Sequence, residues 1–201
     1  MKKLFLLVPV LLLLAAGSGQ SVQTLAIGSD IPLANLKMKD ISGKEVSIKD
    51  ARGLNGVMVM FSCNTCPVVI KNQARTKAIT AYAKQHQIGV ILLNSNEATR
   101  NGDDSYAAMQ AYARKQGYDC YYAVDQDSRI ANAFGATRTP EIYLFDIHGK
   151  LQYKGAIDDN PSNAGAVTRI HAREAINEMT AGKEVSVKTS KSLGCSIRRK
   201  E

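Results

Sequence analysis

The chain has 201 residues, 45% of them apolar, and 26 Lys and Arg against 18 Asp and Glu give it a formal charge of +8. That length and apolar content suit one well-buried domain and fall short of two. The basic residues are spread along the chain, apart from a small cluster at Arg198, Arg199 and Lys200, so no nucleic-acid footprint is predicted, and four cysteines are too few for a disulfide-built scaffold.

The first stretch, MKKLFLLVPVLLLLAAGSGQ, has a basic start at Lys2 and Lys3, an uncharged run from Leu4 to Ala16, and small residues from Ala15 to Gly19. This pattern predicts a secretory signal over residues 1–19, cleaved near Gly17 to Gly19. The apolar run is shorter than the roughly 20 residues of a bilayer span, which favours cleavage over anchoring. A mature protein in a periplasmic or other extracytoplasmic bacterial compartment is expected. Disulfides are permitted there.

Residues 20–26 read as a loose leader. IGSDIPLANLKMKDISGKEVSIKDARG then alternates apolar and polar residues around Ser42-Gly43, as a short hairpin does. GVMVMF (56–61) is a continuous apolar run of strand length, the pattern of a strand covered on both faces. FSCNTCPVVI follows, placing Cys63 and Cys66 at the end of that strand. Ile70, Ala74, Ala78, Ala81 and Tyr82 then recur at helical spacing, with Pro67 tolerable in the first turn. IGVILL (88–93) is a second buried strand. DDSYAAMQAYARKQG is a second helix, capped by Asp104 or Ser105 and stopped by Gly117. YDCYYAV suggests a third strand, on which Cys120 is a buried, inert thiol sharing a face with Tyr122 and Val124. SRIANAFGA reads as a short helix, and EIYLFD and LQYKG as antiparallel strands turning at His148-Gly149. SNAGAVTRIHAREAINEMTAG supplies a last helix. The tail, 184–201, is polar and expected to be loose around Cys195. The order βαβα with a closing hairpin predicts an α/β domain with a mixed central sheet over residues 26–183, carrying the N-terminal hairpin as an extension.

In an open α/β sheet, reactive groups collect beyond the carboxyl ends of the strands. Cys63 and Cys66 occupy that place, where unpaired helix N–H groups favour a thiolate over a thiol. Cys63, as the more N-terminal and exposed sulfur, is expected to attack first, and Cys66 to resolve the mixed disulfide. The dithiol is then itself the redox group, and no bound cofactor or metal is called for.

The CxxC after a strand and the later Thr-Pro before a strand resemble the thioredoxin superfamily. FSCNTCPVV, LNSNEATRNGDDSYAAMQAYA, GATRTPEIYLFD, YKGAIDDNP and GCSI are similar to redoxin-type thioredoxin-like proteins near the alkyl hydroperoxide reductase and thiol-specific antioxidant group. The resemblance implies a thioredoxin-like fold in which Pro140 is cis and faces the CxxC, with Thr139 positioning an extended substrate chain. It implies a thiol-disulfide oxidoreductase acting on protein or small-molecule disulfides. It makes Cys195 a candidate resolving or accessory thiol. An exported dithiol also needs a redox partner to reset it, and a membrane-embedded donor or oxidant is expected. Ser62 stands where thioredoxins usually carry Trp, and Val57 where they carry a buried Asp. Asn64 and Thr65 replace Gly-Pro, so thioredoxin's reducing potential does not carry over.

The pair admits other readings. Pro67, not His, follows Cys66, which excludes covalent c-type haem. A zinc site needs four ligands, and His86, His148, His171, Cys120 and Cys195 show no second paired spacing. A Cu(I) chaperone stays as an alternative, although such proteins space their cysteines by three residues. A peroxiredoxin-like peroxidase is the other. Cys66-Pro67 fits it, Cys63 replaces its Thr, and Arg138 or Arg75 would have to serve as its activating cation. Asp158 and Asp159 read as a solvated turn.

Overall fold

The computed structural model describes residues 23–200, so the predicted signal segment lies outside the described residues. The N-terminal hairpin is β1 (Met38–Lys39) and β2 (Glu45–Val46), with Met38 opposite Val46. Gly43 takes φ +86°, the left-handed turn conformation that side chains resist. The Asp40 carboxylate accepts the Tyr122 N–H at 2.8 Å and so fastens the hairpin to the domain.

The chain continues through β3 (Val57–Ser62), α1 (Pro67–Lys71), α2 (Gln73–Gln85), β4 (Gly89–Asn94) and α3 (Tyr106–Gln116). Then come β5 (Tyr121–Val124), α4 (Arg129–Phe134), β6 (Arg138–Thr139), β7 (Glu141–Phe145), β8 (Leu151–Gly155), α5 (His171–Thr180) and β9 (Cys195–Ser196). The main sheet has the order β5-β4-β3-β7-β8, parallel among β3, β4 and β5 and antiparallel through β7 and β8. This mixed sheet flanked by helices is a thioredoxin-like fold, as the sequence led us to expect.

The apolar run of β3 is explained by its central place. Val57, Val59 and Phe61 enter one core with α4 and the hairpin, while Met58 and Met60 enter another with α2, α3 and α5. Each face of the strand is thus covered by its own layer. Because β7 runs antiparallel to β3 with Phe61 opposite Glu141, the start of β7 lies beside the end of β3. That register brings residues 139–140 next to residues 62–63, although 76 positions separate Cys63 from Thr139.

Four expectations change. The helix after the CxxC is broken at Asn72 (φ −94°, ψ 8°), whose amide donates to the Val68 and Pro161 carbonyls at 2.7 and 3.1 Å. The last helix begins only at His171. Upstream, the Asp159 N–H donates to the Arg169 carbonyl and its carboxylate accepts the Thr168 N–H, which closes residues 159–169 into a loop with a single 3-10 turn at Ala164–Ala166. The tail is docked rather than loose. Lys188 and Ser190 hydrogen-bond with Lys154 on β8, β9 pairs with β6, and Ile197 is buried in the core. Cys120 lies one residue before β5 and is half-buried, and burial pushes its thiol up to about 12.

Candidate active site

Cys63 leaves the end of β3 and Cys66 is the N-cap of α1, with Pro67 at the first helical position. Pro fits there because its missing N–H has no partner to lose. The loop between them is bound to its neighbours through Asn64. The Asn64 N–H donates to Asp104 Oδ1 at 3.0 Å, its side-chain amide donates to the Asp103 carbonyl at 3.0 Å, and its Oδ1 accepts the Tyr122 hydroxyl at 2.9 Å.

Asp104 is wholly buried, and its carboxylate also accepts from the Asn94 amide (2.8 Å), the Asn96 amide (3.0 Å) and the Thr99 hydroxyl (2.8 Å). Arg100 spans the same region, donating to the Asp104 and Asn94 backbone carbonyls at 2.7 Å each. A buried carboxylate persists only where such donors replace water. Burial raises the Tyr122 phenol, which stays a neutral donor to Asn64.

Sequence reasoning offers Asp104 or Ser105 as the helix cap and so misses this network. Ser105 performs the capping, accepting from the Ala108 N–H, and leaves Asp104 free to turn inward. The doubled acid ahead of an adequate cap was the available signal.

The Thr139-Pro140 bond is cis, and Thr139 touches both sulfurs. Its hydroxyl lies 3.4 Å from Cys63 Sγ, and its carbonyl accepts the Cys66 thiol at 3.3 Å. Cys195 packs against the same group, with Cys63, Cys66, Val68 and Val69. Thus the structure gathers Cys63, Cys66, Thr139, Pro140 and Cys195 in one place. The expectation that Cys63 is the more exposed sulfur is not met, since Cys63 is 1% and Cys66 2% exposed. The docked tail lays Cys195 against this buried pair.

Their electrostatics are unequal. The Cys63 and Cys195 thiols and the Val69 N–H all support a thiolate at Cys66, lowering it from 9.0 to about 4. Donation to Cys66 and burial, with the nearby Asp104 charge, push Cys63 up. As a neutral thiol Cys66 would bond the Thr139 carbonyl, and ionisation gives up that contact. Cys63 and Cys66 therefore titrate as one coupled pair, with the neighbouring donors favouring the charge on Cys66 and the Thr139 carbonyl opposing it.

Neither arginine considered for a peroxidase is directed at the thiols by its hydrogen bonds. Arg75 is engaged by the Asp158 carboxylate at 2.7 Å and by the Asn160 and Pro161 carbonyls at 2.8 Å each. Asp158 is therefore a buried ion-pair partner, not a solvated turn residue. Arg138 donates to Ser196 Oγ at 3.1 Å in the tail. Among the described residues, no group of three or more His, Cys, Asp and Glu side chains is arranged to hold a metal ion.

Residues 26–169 match the Redoxin family. The chain belongs to the Redoxin family. Over 151 residues it is 22% identical to the thiol-disulfide oxidoreductase ResA of Geobacillus thermodenitrificans, covering 71% of this chain and 81% of the relative. An uncharacterized conserved protein from Geobacillus kaustophilus superposes with a TM-score of 0.80 at 30% identity, over 87% of this chain and 93% of that one. A putative thiol:disulfide interchange protein DsbE from Chlorobium tepidum gives 0.58 at 16% identity, over 79% and 98%. That last likeness is one of fold. Together these place the redoxin within the thioredoxin superfamily.

Proposed function

We propose that this redoxin is a thiol-disulfide oxidoreductase whose redox group is the Cys63–Cys66 pair. The observation that carries the reading is Thr139: one residue, next to the cis-proline, contacts both sulfurs through its hydroxyl and its carbonyl. In the reducing direction, the Cys66 thiolate attacks one sulfur of a substrate disulfide. The Cys66–substrate bond forms, the substrate bond breaks, and the released substrate sulfur takes up a proton. Cys63 then loses its proton, attacks Cys66 Sγ, and closes the Cys63–Cys66 disulfide as the second substrate thiol leaves. Two electrons pass to the substrate, and the reverse sequence oxidises a dithiol. A substrate strand would pair with Thr139 through its backbone, as β-strand addition does elsewhere.

The first attack is given to Cys66 rather than Cys63 because the donors converge on Cys66. Cys66 is also the N-cap residue of α1, one turn beyond Cys63. Support for an exported protein comes from the basic, apolar and small-residue pattern of residues 1–19. A redox partner that resets the pair, membrane-embedded or soluble, belongs to the same reading. The peroxidase alternative has less support, since Arg75 and Arg138 are hydrogen-bonded elsewhere.

The test is reduction of an insulin-type protein disulfide, with acid trapping of mixed disulfides. Cys63→Ser is expected to accumulate substrate linked to Cys66, and Cys66→Ser to lose turnover. Turnover that survives in both single variants would refute the assignment, and trapping on Cys63 alone would reverse the two roles.

A further inference from the structure

The C-terminal strand occupies the place that the proposed function gives to a substrate. β9 runs antiparallel to β6 with Cys195 opposite Thr139 and Ser196 opposite Arg138, and the Ile197 N–H donates to the Thr137 carbonyl at 3.0 Å. The strand is held at both ends. Ahead of it, Ser190 Oγ accepts the Ala156 N–H at 2.9 Å. Beyond it, the Arg198 N–H donates to Asn96 Oδ1 at 2.9 Å, and Arg199 donates to Asn132 Oδ1 at 2.7 Å.

The approach is also close. A Cβ on Gly194 would lie 2.0 Å from the Thr139 carbonyl oxygen, so only glycine lets the chain settle there. This register lays Cys195 against the buried thiol pair while leaving it partly exposed, whereas Cys63 and Cys66 are closed off. With the tail docked, Cys195 is the sulfur of the three that an external thiol can reach.

We infer that Cys195 is a third redox thiol of the site and that the C-terminal strand is its built-in substrate, relaying the disulfide between the buried pair and an external dithiol. The relay rests on the reading that Cys63 and Cys66 cycle as a pair. Starting from the Cys63–Cys66 disulfide, the Cys195 thiolate attacks Cys66 Sγ. The Cys66–Cys195 bond forms, the Cys63–Cys66 bond breaks, and Cys63 leaves with the electron pair and takes up the proton that Cys195 gave. No electrons enter in this exchange. A dithiol reductant then attacks Cys195 Sγ and Cys66 leaves as its thiolate. The reductant's second thiol closes its own disulfide, Cys195 is released reduced, and two electrons have entered. Pre-pairing at Thr139 makes the first exchange intramolecular, which raises its effective concentration.

The full chain can be oxidised with glutathione disulfide, its remaining thiols capped with N-ethylmaleimide, and its disulfides mapped by mass spectrometry. Wild type is expected to show both Cys63–Cys66 and Cys66–Cys195. Cys63→Ser should end chiefly as Cys66–Cys195, and adding Gly194→Val should cut that product about tenfold or more by lifting the strand. Reduction of the oxidised protein by dithiothreitol should be roughly tenfold slower in Cys195→Ser than in wild type. A Cys63→Ser chain that stops as Cys66–glutathione with Cys195 capped overturns the relay, as does faster reduction in Cys195→Ser, which would make the tail a cover only. Wild type that still forms Cys63–Cys66 in those cases leaves the parent reading standing. Absence of Cys63–Cys66 from both wild type and Cys195→Ser would sink the two together.

Discussion

The polar network beneath Asn64 and the strand that covers Cys66 meet at the same thiols, but different forces hold them. Beneath, the Asp104 carboxylate gathers the Asn64 N–H, the Asn94 and Asn96 amides and the Thr99 hydroxyl in full burial. Removing the carboxylate leaves these buried donors without their shared acceptor. Above, β9 is two residues long and is held by backbone hydrogen bonds, one buried side chain at Ile197 and solvent-facing arginines. Leu193, just before it, is exposed. Fully satisfied buried networks are rigid, whereas a short edge segment with few buried contacts belongs to the low-stability end of a fold. The site thus has a fixed floor and a removable roof, which suits a thiol pair that must be shielded at rest and reached in turnover.

The contrast can be broken most directly at its floor. Asp104→Ala is expected to cost about 3 kcal/mol in urea unfolding, because several buried donors lose their acceptor together. A loss under about 1 kcal/mol would show that the network is not the rigid element described. At the roof, Ile197→Ala should cost about 2 kcal/mol of docking. The signature is roughly thirtyfold faster alkylation of Cys66 by iodoacetamide at constant pH, since each 1.4 kcal/mol is tenfold. Unchanged alkylation would mean that the strand does not gate access.

Ionisation links the two regions. The Cys66 value in the folded protein, about 4, lies below its ordinary 9.0. Its contribution to stability is therefore full above about pH 9, shrinks as pH falls, and is gone below about pH 4. Cys63, pushed upward, acts against stability only above its ordinary value of 9.0. Between pH 8 and pH 4, wild type should lose stability more steeply than Cys66→Ser, measured as urea midpoints of the reduced proteins. Parallel profiles would remove the thiolate from Cys66. In Cys195→Ala one supporting donor is gone, and the pH at which Cys66 alkylation falls off should move upward.

The smallest effect is expected at Arg138, an exposed side chain reaching Ser196 Oγ at 3.1 Å. Arg138→Ala should change docking by about 0.5 kcal/mol or less, roughly a twofold change in alkylation. A larger effect would mean that the roof is pinned by its charges and not by Ile197.

Much of the frame was legible before any coordinates. GVMVMF could be read as a doubly covered strand because burial on both faces leaves a continuous apolar run, and β3 divides that run between two cores. The CxxC followed from its position at that strand's end, and TRTP marked the segment that packs beside it. What escaped was polar or short. Asp104 looked like a cap because capping is local, while its actual partners, Asn64 and Asn94, are 40 and 10 residues away. Asn72 interrupts a helical pattern by donating to Pro161, 89 positions on. A strand of two residues, as at Cys195–Ser196, is too short to carry any periodicity.

By itself, then, the sequence determined the strand, the thiol spacing and the Thr-Pro, because each is written in local pattern and side-chain chemistry. Only the tertiary structure decided which groups surround the two sulfurs and what covers them. A thiol's proton affinity depends on the groups that surround it, and Cys195 and the Thr139 carbonyl reach Cys66 from segments whose meeting is set by sheet register.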